Sequence, residues 1–123
     1  MMLPECLIQT LGNIKGDTKM DTKRIASGRT TPGSTAWQPY SYGGSAGIFV
    51  DVDTSDAQLT GAPVYTTSIG GTWNHWSTTG ATSIYIPTAK GFRVYVRYAD
   101  GGALTPATAN GLEWHINWIA MEV

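Results

Sequence analysis

The sequence contains a single cysteine, Cys6. No disulfide can close within the chain, and no thiolate cluster can hold a metal. Cys6 reads as a small apolar residue in an N-terminal segment. Charge is also scarce. Charged residues make up 14% of the chain, against about 25% in an ordinary globular protein, and the formal net charge is -1. That balance draws the chain neither to nucleic acid nor to an anionic membrane. The basic residues near the front, Lys15, Lys19, Lys23, Arg24 and Arg29, are interspersed with Asp17 and Asp21, a mixed segment and not a basic patch. No run approaches the ~18 consecutive apolar residues of a membrane helix. Residues 1–8 lack the basic and apolar regions of a secretory signal. The two histidines, His75 and His115, stand far apart without ligand spacing, so neither a metal nor a cofactor is expected.

What replaces charge is threonine, serine and glycine, the usual surface of short-stranded β proteins. A chain of 123 residues is one domain in size. Residues 1–23 carry a weak amphipathic pattern (Leu3, Leu7, Ile8, Leu11, Ile14) broken by Gly12 and Gly16, then a polar stretch. They read as an N-terminal arm of little independent stability, for docking or oligomerisation. From residue 24 onward the signals are β. Six segments alternate or run apolar between turn residues: 24–29, 47–53, 62–69, 81–87, 92–98 and 112–121. The clearest is 92–98, with Phe92, Val94, Val96 and Tyr98 on one face and Arg93, Tyr95 and Arg97 on the other. The last segment places Trp114, Ile116, Trp118 and Ala120 opposite Glu113, His115 and Asn117. This predicts an all-β fold, a six-stranded antiparallel β-sandwich spanning residues 24–123 behind the short arm. The expected core is Val50, Val64, Ile84, Ile86, Phe92, Val94, Val96, Trp114, Ile116 and Trp118.

Two aromatic loops stand out. Trp73, Asn74, His75 and Trp76 lie in a stretch bounded by Gly70, Gly71 and Gly80. Sugars present apolar C–H faces and many hydroxyls, so a site for them wants an aromatic platform beside planar donors and acceptors. Trp73 or Trp76 supplies the platform and Asn74 and His75 the polar contacts. The competing reading is packing at the sandwich end or in a subunit contact, since tryptophan is a common interface anchor. The second loop, Trp37, Tyr40 and Tyr42 around Pro39, reads as intersubunit packing. His115, with Asn117, Arg93 and Arg97, reads as one face that lines a symmetry axis or meets solvent. Catalysis has little behind it. Asp51 and Asp53 alternate on a strand but no second cluster is tied to them, and no nucleophile-elbow pattern accompanies the serines.

The order of these pieces resembles the H-type lectin family, which includes snail agglutinins and the C-terminal domains of discoidins. The resemblance runs over residues 24–123. Ser27-Gly28 and Trp37 match the family's opening. Ile48-Phe49-Val50 leads to Ala62-Pro63-Val64 and Ser68-Ile69. Ser83-Ile84-Tyr85-Ile86 precedes the Gly91-Phe92 strand, and His115-Ile116-Asn117-Trp118-Ile119-Ala120 closes the chain. The resemblance implies a homotrimer that binds galactose-type or N-acetylgalactosamine sugars near protomer interfaces. Snail agglutinins use an Arg before the Gly-Phe strand and a Trp-His pair after it. The matching positions here are Ser83, Ala99 and Asp100, of which only Asp100 retains a group that can bond a sugar hydroxyl.

The expectation is therefore a non-enzymatic glycan-recognition module acting as a homotrimer, in a phage tail, fibre or other virion component or outside the cell. The alternative is a purely architectural virion subunit, a tail, fibre or cement protein without sugar binding. A cytoplasmic lectin and, more remotely, an esterase or glycosidase complete the readings.

Overall fold

The computed structural model describes the backbone of residues 6–11 and the whole of residues 22–123. The described residues are predominantly β, with one short α-helix and two single 3-10 turns. Strands β1 (Cys6–Leu11), β2 (Lys23–Arg29), β5 (Val64–Gly70) and β9 (His115–Met121) form one sheet in the order β1-β2-β9-β5. Strands β3 (Gln38–Tyr42), β4 (Ser45–Asp53), β6 (Thr78–Thr79), β7 (Tyr85–Thr88) and β8 (Gly91–Tyr98) form the other, in the order β3-β4-β8-β6 with β7 also on β8. Every pairing is antiparallel. Helix α1 (Pro106–Gly111) precedes β9. Among the described residues no helix is long and apolar enough to cross a membrane.

Period-two alternation explains how the sheets close on one core. On β4, Ile48, Val50 and Val52 turn inward; on β8, Phe92, Val94 and Val96; on β9, Ile116, Trp118 and Ala120. All are buried in a single cluster with Trp114, Ala26, Leu104 and Ala109. Tyr65 crosses between the sheets. Its ring lies 4.4 Å from Phe92 and 6.3 Å from Trp118. Its hydroxyl donates to the Thr88 carbonyl at 2.6 Å and pairs with Thr54 Oγ1 at 2.8 Å. Burial pushes the Tyr65 phenol up from its ordinary value, and the Thr54 contact opposes that.

Six expected strands are present as β2, β4, β5, β7, β8 and β9, and three more join them. The arm assigned to residues 1–23 falls largely outside the described residues, as do the side chains of Cys6, Leu7, Ile8 and Leu11. Its residues 6–11 are strand β1, in register with β2 from Cys6↔Gly28 to Leu11↔Lys23. Strand β3 occupies the expected second aromatic loop. Pro39 is accommodated because β3 is an edge strand, exposed along its length. Helix α1 occupies an expected loop. Thr105 Oγ1 accepts the Thr108 N–H at 3.2 Å, and Pro106 opens the helix.

Two expected core residues are corrected. Val64 is 54% exposed and Ile86 is 64% exposed. On β5 the inward positions belong to Tyr65 and Thr67, whose hydroxyls find internal acceptors; Thr67 Oγ1 donates to the Ala81 carbonyl at 2.6 Å. Val64 is therefore on the outer face. Ile86 sits at a register shift between Tyr85 and Thr88 with φ +53°, which turns it away from the core. Ile84 packs half-buried against the cluster.

At the chain end Glu122 is buried in a clamp. Its carboxylate accepts Arg24 Nε at 3.1 Å and Nη2 at 2.8 Å, the Arg24 N–H at 3.1 Å, and the N–H and Oγ1 of Thr60 at 3.0 and 3.1 Å. Arg24 also donates to the carbonyls of Ala57 and Gln58. The Arg24 hydrogen bonds, then that from the Thr60 backbone, hold the Glu122 carboxyl down at about 2. A carboxyl depressed in the folded state contributes stability above its unfolded pKa and loses it as pH falls through the folded one. Glu122→Gln should cost about 2 kcal/mol at neutral pH. It should also flatten the loss of stability between roughly pH 5 and pH 2, as urea denaturation across that range will measure.

Candidate functional site

The loop between β5 and β6 is built on contacts to the core. A Cβ at Gly71 would overlap Cδ1 of the buried Trp114, so that position requires glycine, and one at Gly70 would push aside the His115 ring, whose Nε2 would lie 2.5 Å away. Thr72 donates its N–H and its hydroxyl to the Leu112 carbonyl at 2.9 and 3.0 Å. The buried indole of Trp114 donates to the Trp73 carbonyl at 2.8 Å. Asn74 then enters the left-handed region at φ +68°, which asparagine tolerates, and opens a single 3-10 turn, His75–Ser77. Ser77 Oγ donates to the Asn74 carbonyl at 2.7 Å and Thr78 Oγ1 to that of His75 at 2.7 Å.

This bracing leaves both indoles in solvent, with Trp73 66% and Trp76 81% exposed. His75 is half-buried and turns Nδ1 inward, where it has no hydrogen-bond partner among the described residues. The Asp100 turn lies alongside. Ala99 N–H donates to the Ser77 carbonyl at 2.9 Å and Thr78 pairs with Tyr98. Asp100 is exposed and its Oδ1 accepts the Gly102 N–H at 2.8 Å. Trp73, Asn74, His75, Trp76 and Asp100 are thus brought to adjacent loops at one end of the body.

The expected interface residues divide. Trp37 is corrected. It is 4% exposed, and its indole donates to the Trp114 carbonyl at 3.1 Å, so it is a core residue that no neighbour can reach. The expected common face of His115, Asn117, Arg93 and Arg97 is also corrected, because β8 and β9 belong to different sheets whose inward faces meet. His115 is on the outer side of one sheet, its Nδ1 2.9 Å from the Glu113 carbonyl. Tyr40, Tyr42, Arg93 and Arg97 are on the outer side of the other.

That second face carries a feature the sequence reading did not isolate. Tyr40 lies 4.8 Å from Tyr95, Tyr85 5.1 Å from Tyr95, and Phe49 5.7 Å from Tyr95. Beside these rings runs a groove of about 680 Å³, walled by Tyr40, Tyr42, Tyr85 and Tyr95, with Arg97 at its side. Ser83, the position that the resemblance aligned with a sugar-binding Arg, is in its lining. Two-residue alternation along β8 and the tyrosines of β3 were the available signals, and only strand pairing joins them.

Asp51 and Asp53 are committed elsewhere. Arg93 donates Nε to Asp51 Oδ1 at 2.7 Å and Nη2 to Oδ2 at 3.0 Å, which holds the Asp51 carboxyl below its usual range. Asp53 accepts the Ser55 N–H at 2.9 Å, and the Ser55 side chain first, then that N–H, hold its carboxyl below the usual range. Among the described residues no group of three or more His, Cys, Asp or Glu side chains could hold a metal. No family model, curated protein or solved structure matches the chain.

The loop's dependence on Trp114 is testable. Gly71→Ala should destabilise the protein by about 1–3 kcal/mol through overpacking. It should also detach the Trp73 carbonyl from its donor, read as a fall in melting temperature together with a changed tryptophan emission spectrum.

Proposed function

We propose that this chain is a non-catalytic glycan-recognition module that works as a homotrimeric β-sandwich, with the 73–76 loop and Asp100 as its sugar-contacting end. The observation that carries the reading is the pair of solvent-exposed indoles on a loop braced from below. Large apolar rings left in water mark sites of interaction more often than sites of folding. A ring on an ordered loop loses little conformational entropy when a ligand stacks on it. Asn74 and the free Oδ2 of Asp100 offer the hydrogen-bonding groups that a pyranose rim needs.

Weak single sites gain strength by repetition, which is the physical role of the trimer. What supports association is an exposed apolar strip on the outer side of the other sheet. Val64 is paired with Met121, Ile119 lies two residues along, and β5 ends the sheet as an edge. In this reading the 1–23 segment, whose residues 6–11 extend the module's own sheet as β1, fastens it to a larger assembly, such as a phage tail or fibre, and its place is the virion or the cell exterior. The same strip favours the second reading, an architectural subunit that cements neighbours and binds no sugar.

A glycan array probed with multivalently displayed protein separates the two. Binding should appear, and Trp76→Ala should weaken it by roughly tenfold, about 1.4 kcal/mol, with an unchanged melting temperature. Silence across the array would remove the recognition reading and leave the architectural one. A stable monomer at micromolar concentration by mass measurement would remove the trimer from both.

A further inference from the structure

The tyrosine-walled groove on the outer face of the β3-β4-β8 sheet is separate from the 73–76 loop. It has a different electrostatic character. Its depth comes from missing side chains. Gly43 and Gly44, at φ +58° and +86°, make the two-residue hairpin between Tyr42 and Ser45. Gly47 takes an outward position on β4 directly beside β8. A Cβ there would lie 2.8 Å from the Val96 carbonyl oxygen and 3.3 Å from Arg97 Cβ. Gly80, at φ +104°, passes so close to β8 that a Cβ would overlap the Tyr95 carbonyl oxygen. The walls are rings that brace one another. Tyr40 and Tyr85 both pack on Tyr95, and Arg93 Nη1 donates to the Tyr95 hydroxyl at 3.3 Å.

Strand β8 presents two arginines to this face, and they differ. Arg93 is neutralised by Asp51 and covers Phe49, with its guanidinium carbon 4.2 Å from the ring centre. Arg97 is exposed and lines the groove, and its guanidinium has no hydrogen bond or ion pair among the described residues. Among the described residues it is the one charged residue in the lining, and no carboxylate of theirs faces it there. Hydroxyls of Ser45, Thr79 and Ser83 complete the rim.

We infer that the groove binds an acidic saccharide, a pyranose bearing a carboxylate, with the carboxylate on Arg97 and the sugar's C–H face against the tyrosine wall. Each part of the ligand has its match. The guanidinium fork is shaped for a carboxylate. The phenol rings suit an apolar sugar face, and the serine and threonine hydroxyls suit the ring hydroxyls. A groove of this volume is of small-ligand size. A single cation fits a single carboxylate better than a polyphosphate, which gathers several donors or a helix N-terminus.

The test is calorimetric titration at low and physiological salt with tetragalacturonate, 3′-sialyllactose, and the neutral counterparts methyl-esterified tetragalacturonate and lactose. At least one acidic saccharide should bind roughly tenfold or more tightly than its neutral counterpart, and the difference should shrink as salt rises. Arg97→Gln should abolish that preference without changing the melting temperature, since Arg97 is exposed and unpaired. Tyr42→Ala should weaken binding of acidic and neutral forms alike. Trp76→Ala should leave the acidic preference unchanged. Three results would overturn the inference: no acidic saccharide bound, acidic binding indifferent to Arg97→Gln, or acidic binding lost with Trp76→Ala. Neutral-glycan binding that needs Trp76 alone would preserve the recognition reading while rejecting this groove.

Discussion

One buried indole organises the functional end of this molecule. Trp114 is fully enclosed, so its N–H must find an acceptor inside the protein, and the acceptor is the carbonyl of Trp73. An unmet buried donor costs about 1–3 kcal/mol, so the loop cannot leave without exposing that cost. The backbone of Trp114 is committed in the same way. Its carbonyl accepts the Trp37 indole and its N–H donates to the Ala109 carbonyl at 2.8 Å. Its ring meets the edge of Tyr98 at 6.0 Å. Through these contacts one side chain ties helix α1, strands β8 and β9 and the β5–β6 loop together. The exposed Trp73 and Trp76 are therefore outward extensions of the core and not loosely tethered decorations.

The opposite arrangement holds where the chain ends. There an ion pair, Arg24 with Glu122, joins the start of β2 to the end of β9 and gathers the 57–60 segment through Ala57, Gln58 and Thr60. A buried carboxylate is tolerated because it accepts from both Arg24 and Thr60, which meets the desolvation it suffers. One tie is apolar with a single directed N–H, and the other is ionic with many. A protein with so few charges uses one of its ion pairs to tie the ends of the two central strands β2 and β9 and another, Arg93 with Asp51, to still the centre of its aromatic face.

How much of this was legible in the sequence follows from range. Alternation is a local property, and it placed Phe92, Val94 and Val96 inward and Arg93, Tyr95 and Arg97 outward. It also located Trp114, Ile116 and Trp118 in the core. Glycines bounding 70–80 marked the indole loop for the same reason. Alternation fails where both phases of a strand are plausible. In β5 the phase of Val64 competes with that of Tyr65 and Thr67, and tertiary acceptors for two hydroxyls decide it. It fails again at Ile86, where a register shift breaks the period. The Thr105-Pro106 cap was a readable helix start that six helical residues were too few to reinforce. Trp37 was out of reach, because its fate depends on a carbonyl 77 positions along the chain.

The groove was illegible for a deeper reason. Its residues come from β3, β4, β6, β7 and β8 and the turns between them, and of the four tyrosines only Tyr40 and Tyr42 share a strand. Sequence places Arg93 and Arg97 as equals, two outward arginines on one strand. Only register distinguishes them. Asp51 stands opposite Arg93, whereas Gly47, lacking a side chain, stands beside Arg97. The difference between a structural cation and an available one is thus set by what the neighbouring strand puts across from it. A strand shift of four residues would set Arg97 opposite Asp51 and take Arg93 away from it. The chemistry of this face belongs to the β4–β8 register, and it is the register that the free charge on Arg97 reports.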